Sequence, residues 1–165
     1  MSSLRELGFR IPKDNVRKEF TRWLHWSERG DHLLSEDPRD LLHGYSGVYL
    51  LAHFDRVPKG DADPTDRRIV YVGEGGALGR RWYNFERSIA EHPGHSGGHA
   101  YRARYKRRLE TLHVAAFPIW LTELEPKGNP ADPRSLTCRL RHHVEQGVLW
   151  HLYYTTAGCE LLNRK

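Results

Sequence analysis

The chain has 165 residues, of which 38% are hydrophobic. This length is enough for one domain with an apolar core and too short for two. Lysine and arginine outnumber aspartate and glutamate by 26 to 21, giving a net charge of +5. A moderately basic chain is compatible with a polyanionic partner but does not by itself indicate one. Because no apolar run approaches membrane-spanning length and the N-terminus lacks the apolar centre of a signal peptide, we expect a cytoplasmic protein with no membrane partner.

The first part of the chain predicts helices. Residues 14–27 carry apolar residues at helical spacing with charged residues between them, which predicts an amphipathic helix. A second short helix is predicted after Asp37. We therefore expect residues 1–45 to form a helical extension packed on a core of residues 46–165, all within one domain.

Two tyrosine-bearing apolar runs follow and predict a β-hairpin. The predicted strands lie at about 46–54 and 69–73, and the segment between them is rich in Asp, Pro, Arg and Gly. Tyr49 lies in the first strand and Tyr71 in the second. Glycines near both tyrosines would leave room for a bulky group to approach, and the two hydroxyls could converge on one small ligand.

The rest of the chain predicts the order helix, helix, strand, helix. A glycine-rich turn leads into a helix at 78–91, and a basic helix follows residues 95–98. The apolar segment 113–124 predicts a third strand, and 136–154 a last helix. This order predicts an α+β fold with a small central antiparallel or mixed sheet of about three strands flanked by helices, together with the extra N-terminal helices.

Five elements in this order resemble the GIY-YIG nuclease superfamily. They are Gly47-Val48-Tyr49, Tyr71-Val72-Gly73, Arg81 in the following helix, Glu145 in the last helix and Asn163 near the end. Each three-letter run is common by chance, whereas five elements in order are a more specific signal. The two tyrosines are 22 positions apart, and the long loop between them resembles the restriction-enzyme branch of the family more than its homing and repair branches.

The resemblance implies a role for each of these residues. Glu145 would be the sole protein ligand of Mg²⁺, for which Mn²⁺ could substitute, because such an ion accepts one carboxylate together with waters and a phosphate oxygen. Arg81 would bind phosphate oxygens through its planar guanidinium. Tyr49 would activate or orient the attacking water, and Tyr71 would hydrogen-bond the phosphate or that water. Asn163 would orient Tyr49 or the backbone of the site.

Simpler interpretations remain open at this point. Tyrosines are common in strands, and a single arginine on a helix is usually solvated or paired. Glu145 could pair with Arg141 one turn earlier, and Asn163 could be frayed. The auxiliary histidine that the resemblance implies could be His95 or His99. We favour His99, because it can lie at a helix N-terminus, where backbone amides attract anions.

A cluster of cations predicts a nucleic-acid-binding surface. Its members are Arg80, Arg102, Arg104, Lys106, Arg107 and Arg108. Contacts from such residues to phosphates give affinity that falls with salt and carry little sequence information. The simpler interpretation is a solvated helix face.

The sequence thus predicts a divalent-metal-dependent DNA endonuclease, of restriction or repair type, that leaves 5′-phosphate and 3′-hydroxyl ends. DNA is the expected partner, and no organic cofactor is indicated. A homodimer would supply a second active site for cutting the other strand. The alternative is a nucleic-acid-binding module that retains the GIY-YIG fold without cleaving.

Overall fold

A four-stranded sheet with helices on both faces forms the centre of the protein. The computed structural model describes residues 9–10, 20–33, 46–119, 123–124, 133–154 and 161–163. The strands are β1 (Phe9–Arg10), β2 (Leu24–His25), β3 (Ser46–His53), β4 (Ile69–Gly75), β5 (Leu112–Ile119) and β6 (Glu123–Leu124). The helices are a 3-10 helix (Trp26–Leu33), α1 (Leu78–Ile89), α2 (Ser96–Tyr105) and α3 (Pro133–Tyr154). None of the helices described here is both long and apolar enough to span a membrane.

The central sheet has the order β2-β5-β3-β4, and all of its strand pairs are antiparallel. β1 and β6 pair separately as a two-stranded sheet. The α+β class is therefore confirmed, and so is the hairpin of β3 and β4. The predicted sheet of about three strands is too small, because β2 adds a fourth strand beside β5.

Within the segment predicted as an amphipathic helix at 14–27, residues 20–25 are extended. Leu24–His25 pair with β5, and Thr21 exchanges hydrogen bonds with Ala116 of the same strand. The Thr21 N–H donates to the Ala116 carbonyl at 2.8 Å, and the Ala116 N–H donates to the Thr21 hydroxyl oxygen at 2.9 Å. The helix prediction is therefore wrong for residues 20–25.

The apolar residues of this segment serve two faces of the sheet, which explains their helix-like spacing. Phe20 and Trp23 belong to the core on one face, and Trp26 belongs to the core on the other. Apolar residues three apart give the same pattern as one stripe of a helix. Residues 14–19 and the helix predicted after Asp37 lie outside the described residues.

The two faces of the sheet are covered by different helices. On β3, Val48 and Leu50 point into a core shared with α3, whereas Tyr49 and Leu51 point into a core shared with α1 and α2. This is the period-two alternation expected of a strand with both faces buried. Tyr71 lies on the same side as Tyr49. Both signature tyrosines therefore face α1 and α2.

The helices predicted at 78–91 and 136–154 are present as α1 and α3. The basic helix is shorter than predicted by the helical spacing of its apolar residues, which are Tyr101, Tyr105, Leu109 and Leu112. It ends at Tyr105, and Lys106 caps it with a φ of 59°. Leu112 is fully buried as the first residue of β5. α2 ends at Tyr105 because the chain has to reach the start of β5. The three cations at 106–108 therefore lie in the turn after α2 and not on the helix.

Candidate active site

The two signature tyrosines lie on facing strands in the core between the sheet and α1. Tyr49 pairs directly with Gly73 across the hairpin, and the ring centroids of Tyr49 and Tyr71 are 6.0 Å apart. A Cβ on Gly73 would lie 2.5 Å from the Tyr49 Cζ atom and 2.6 Å from its hydroxyl oxygen. The bulky group for which Gly73 leaves room is thus Tyr49 itself.

Two further glycines allow close approaches around this pair. A Cβ on Gly47 would lie 2.5 Å from the carbonyl oxygen of Phe117 in β5. A Cβ on Gly97 of α2 would lie 2.6 Å from the Tyr71 Cζ atom and 2.8 Å from its hydroxyl oxygen. All three distances are shorter than real Cβ contacts, so these positions need glycine for packing.

Arg81 brings a guanidinium from α1 to both phenols. Its charge and its hydrogen bonding lower the pKa of Tyr49 and of Tyr71, which places the guanidinium beside both hydroxyls. The Nε atom of Arg81 is buried and has no hydrogen-bond partner among the residues that the structure describes. A buried donor without a partner is costly, so Arg81 offers an unused donor to a ligand.

Burial determines the protonation of both phenols. It raises the pKa of Tyr49 well above its usual value, and the neighbouring Tyr71 raises it further against the opposing charge of Arg81. Burial likewise raises the pKa of Tyr71, again against Arg81. Both hydroxyls are therefore protonated at neutral pH, and a phenolate would need positive charge beyond that of Arg81.

Glu145 contributes a carboxylate from α3. Its side chain is 13% exposed, and its negative charge raises the pKa of both Tyr49 and Tyr71. Burial raises the pKa of Glu145, and the carboxylate of Glu74 adds to that effect, whereas Arg81 opposes it. Glu145 therefore lies near enough to the two phenols and the guanidinium for its charge to act on them, although the apolar residues of α3 pack on the other face of the sheet.

The alternative that Glu145 pairs with Arg141 is wrong. Arg141 donates from Nε to the Glu74 carboxylate at 2.6 Å and from Nη1 to the Ser46 hydroxyl at 2.8 Å. The ion-pair contact of Glu145 is to the Nδ1 atom of the exposed His142, at 3.7 Å, which is charged only when that imidazole is protonated. Glu145 therefore has no permanently charged ion-pair partner within the described residues.

These residues fit a magnesium site with a single protein carboxylate. No group of three or more His, Cys, Asp or Glu that could hold a metal ion occurs among the described residues. Mg²⁺ does not require such a group, because it retains waters and takes oxygens from a phosphate. A bound cation would offset the cost of burying the Glu145 carboxylate. Glu74 is already neutralised by Arg141.

Of the two candidate histidines, His95 rather than His99 contacts a signature tyrosine. The Nε2 atom of His95 lies 3.2 Å from the Tyr49 hydroxyl, and its Nδ1 atom accepts a hydrogen bond from the Gly98 N–H at 3.3 Å. Burial lowers the pKa of His95 to about 4, and the charge of Arg81 adds to that effect. His99 is exposed on the first turn of α2.

Ser88 supports His95 and was not indicated by the sequence. The backbone N–H of His95 donates to the Ser88 hydroxyl at 2.6 Å, and that hydroxyl donates to the Asn84 carbonyl at 3.0 Å. Ser88 is fully buried. The signal that could have revealed it is a serine on the otherwise apolar face of α1.

Asn163 is ordered and bound to the edge of β4. Its side-chain oxygen accepts from the Val72 N–H at 2.9 Å, and its side-chain nitrogen donates to the Val72 carbonyl at 2.7 Å. The preceding Leu162 N–H donates to the Val70 carbonyl at 2.7 Å, and the Tyr153 hydroxyl donates to the Asn163 carbonyl at 2.7 Å. Asn163 thus holds the β4 backbone immediately after the second signature tyrosine.

Two adjoining grooves lie along α2, and Tyr71 lines the first of them. The first, of about 480 Å³, is lined by Tyr71, Ser96, Gly97, His99, Ala100, Ala103, Leu162 and Asn163. The second, of about 660 Å³, is lined by Glu91, His99, Arg102, Ala103, Lys106 and Arg107. Because they share His99 and Ala103, the grooves adjoin, and one path leads from Tyr71 to a basic surface.

The predicted nucleic-acid-binding cations are all partly or fully exposed, but some are paired. Arg102 forms an ion pair with Glu91, and Arg108 forms one with Glu110 at 3.5 Å. Arg104 lies over the ring of the neighbouring Tyr105. The remaining members of the set are Arg80 at the start of α1 and Lys106 and Arg107 after α2, all exposed.

Comparison of this chain with protein-family models, curated proteins and solved structures finds no match in any of the three. The geometry described above and the sequence motif are therefore the grounds for any function.

Proposed function

We propose that this protein is a divalent-metal-dependent DNA endonuclease of the GIY-YIG type. The observation that carries the proposal is the convergence of four side chains from four elements. They are Tyr49 of β3, Tyr71 of β4, Arg81 of α1 and Glu145 of α3. Burying phenols, a guanidinium and a carboxylate together without full pairing costs stability, which is typical of functional sites.

Each of these groups meets a requirement of phosphodiester hydrolysis. The reaction needs a positioned water, stabilisation of charge on the phosphate oxygens, and help for the departing 3′ oxygen. The unpartnered Nε and the rest of the Arg81 guanidinium bind the phosphate oxygens. Tyr71 lines the first groove, and its hydroxyl donates to the phosphate or to the attacking water.

Tyr49 of β3 and Glu145 of α3 complete the site, and the charge of Glu145 acts on both phenols. The buried Tyr49 hydroxyl orients the attacking water, with its neighbour His95 fixing its position. Mg²⁺, or Mn²⁺ in its place, when bound through Glu145, supplies Lewis-acid stabilisation of the phosphate and of the leaving oxygen. Water attack on phosphorus breaks the bond to the 3′ oxygen and leaves 5′-phosphate and 3′-hydroxyl ends.

The two adjoining grooves favour the proposal that the substrate is a polyanion. A DNA strand with its scissile phosphate near Tyr71 would run past His99 toward Lys106 and Arg107. Cations along such a path neutralise phosphates without reading bases, so binding should weaken as salt rises.

A plasmid-nicking assay in Mg²⁺ and in Mn²⁺ tests the proposal. We expect Arg81→Ala and Glu145→Gln each to lower the cleavage rate by roughly 100-fold or more, as removal of a single charge-stabilising group does in other enzymes. Arg87→Ala is the matched control, because Arg87 is an exposed arginine of the same helix outside the predicted DNA-binding cations, and it should retain most of the activity. Cleavage that is unchanged in both site variants would contradict the proposed mechanism.

The same assay separates the endonuclease from a non-cleaving DNA-binding module, since the grooves along α2 would serve either. Salt-sensitive DNA binding by the wild-type protein, with no cleavage in Mg²⁺ or Mn²⁺, would favour the binding module.

A further inference from the structure

We infer that His95 acts as a hydrogen-bond donor that positions the Tyr49 hydroxyl, with its proton held on Nε2 by the amino-terminal end of α2. The role in positioning rests on the proposed endonuclease function, whereas the location of the proton does not.

The location of the proton follows from the partner of Nδ1. His95 is the N-cap residue of α2, and the backbone N–H of Gly98 donates to its Nδ1 atom at 3.3 Å. An imidazole nitrogen that accepts a hydrogen bond carries a lone pair and no proton. In the neutral imidazole the proton is therefore on Nε2, the nitrogen that lies 3.2 Å from the Tyr49 hydroxyl.

The backbone around His95 fixes this arrangement. Its own N–H donates to the buried Ser88 hydroxyl, and a Cβ on Gly98 would lie 2.6 Å from the Phe85 carbonyl oxygen. Gly98 can therefore bring its N–H to the imidazole only because it lacks a side chain. The ring of His95 is enclosed by Tyr71 and Phe85, with centroids at 5.9 and 5.5 Å.

The direction of this hydrogen bond determines where the Tyr49 proton points. Because the Tyr49 oxygen accepts from His95, its own O–H is directed elsewhere. The other polar groups that act on Tyr49 are Tyr71, Arg81 and Glu145, and of these Arg81 can only donate, whereas the Tyr71 oxygen accepts from Tyr49. The hydroxyl is thus presented toward the cluster in which the phosphate and the water would bind.

The same geometry excludes His95 as a proton acceptor for Tyr49. A proton accepted by the neutral ring would have to go to Nδ1, where it would displace the Gly98 hydrogen bond that caps α2. Burial and the nearby charge of Arg81 also disfavour an imidazolium, as the lowered pKa of His95 indicates. His95 is therefore a positioning residue, not an auxiliary base.

NMR of the full chain with ¹⁵N-labelled histidine tests the proton location without any nuclease activity. The His95 signals are assigned by their loss in His95→Asn. We expect a protonated Nε2 and an unprotonated Nδ1 at pH 7, with Nε2 as the protonated nitrogen throughout the range where the ring is neutral. A protonated Nδ1 at pH 7 would overturn the inference.

Two variants test the positioning role. His95→Asn places an acceptor near the position of Nδ1 and keeps the cap, whereas His95→Gln places an amide donor near the position of Nε2. We expect the Gln variant to cleave at least about tenfold faster than the Asn variant, although the Asn variant is the more stable, because hydrogen bonds to the reacting groups contribute on that scale. Full cleavage by His95→Asn would show that capping is the whole role of His95, and equal loss in both folded variants would also contradict a donor role.

If the wild-type protein does not cleave, the proposed function fails, and the NMR spectrum alone then decides the inference about the proton.

Discussion

Two tyrosine–histidine pairs in this protein have the same local geometry and different surroundings. The hydroxyl of Tyr49 lies 3.2 Å from Nε2 of His95, and the hydroxyl of Tyr101 lies 3.2 Å from Nε2 of His53. In both pairs burial raises the pKa of the phenol and lowers the pKa of the imidazole. The two pairs therefore differ in what lies beyond them.

In the pair of Tyr101 and His53, each polar side-chain group is hydrogen-bonded to a neighbour outside the site. The Tyr101 hydroxyl donates to the Arg108 carbonyl, and the Nδ1 atom of His53 lies 2.8 Å from the Thr111 hydroxyl. Each polar group of the pair thus has a partner, and the bonds connect α2, β3 and the turn before β5. Such a fully satisfied network stabilises one conformation.

The Tyr49 pair opens onto charged groups. Beyond its hydroxyl lie Tyr71, Arg81 and the charge of Glu145, and Arg81 retains a buried donor without a partner in the described part of the chain. A buried tyrosine–histidine bond is therefore not by itself evidence of catalysis. The unsatisfied charges beside one of the two pairs distinguish it.

The largest expected effect comes from removing each hydroxyl in turn. Tyr49→Phe should lower the cleavage rate about 100-fold, equivalent to about 2.7 kcal/mol of transition-state stabilisation. Tyr101→Phe should retain cleavage per folded molecule but lower the free energy of unfolding by about 1–3 kcal/mol, because it leaves the Arg108 carbonyl without its donor. Plasmid cleavage and urea denaturation measure the two effects. If Tyr49→Phe and Tyr101→Phe lost cleavage equally when compared at the same folded fraction, the two pairs would not differ in function.

The pH dependence of stability tests the buried state of His95. Its pKa falls from 6.5 to about 4 on folding, mainly through burial, so below pH 6.5 the unfolded chain binds a proton that the folded protein does not. Stability should therefore fall as the pH drops from 6.5 toward 4, by up to about 3 kcal/mol from this group.

The wild-type protein and His95→Asn, compared by urea denaturation at several pH values, isolate this contribution. The Asn variant should show a correspondingly weaker loss of stability in acid. His92→Asn, at an exposed position three residues earlier, is the control and should follow the wild type. Parallel curves for the wild type and His95→Asn would contradict a buried, neutral His95.

Gly97→Ala tests how closely α2 must approach Tyr71, which lies beside Tyr49. The alanine Cβ would lie 2.6 Å from the Tyr71 ring, so the ring or the helix must move. We expect a loss of about 2 kcal/mol in stability and about a tenfold loss of cleavage. In the control variant Gly76→Ala, the new Cβ would meet its nearest neighbour, Arg141 Nη1, at 3.6 Å, an ordinary contact. Comparable effects in the two variants would argue against a specific role for the Gly97 contact.

The smallest expected effect is at the pair of Tyr101 and His53. Thr111→Val removes the hydroxyl at Nδ1 of His53 and should cost about 1 kcal/mol of stability with no change in cleavage. Thr111→Ser keeps a hydroxyl and should recover most of that loss. A clear fall in the cleavage rate of the Val variant would show that the two pairs are coupled.

The elements with regular residue spacing were predictable from sequence. α1, α3 and the β3–β4 hairpin follow from residue spacing and turn composition. β2 was missed, because Phe20 and Trp23 pack on one face of the sheet and Trp26 on the other, so their spacing does not report a single buried stripe.

Within the candidate site, the motif alone selected Tyr49, Tyr71, Arg81 and Glu145, and in the structure the charges of Arg81 and Glu145 act on both phenols. For the auxiliary histidine the sequence favoured His99, whereas His95 is the one that contacts Tyr49 in the structure. That choice depends on which ring nitrogen meets the first turn of α2, and residue order carries no information about such a distance.

The sequence by itself determined the alternation of β3 and β4, the glycines that let Tyr49 and Tyr71 lie in the core, and the chemical identity of the clustered groups. The tertiary structure alone decided their partners. Arg141 is bound to Glu74, 67 positions away, and is thereby withheld from the nearby Glu145. Such pairings depend on how α3 packs against the hairpin, because hydrogen bonds form between groups close in space, whatever their separation along the chain.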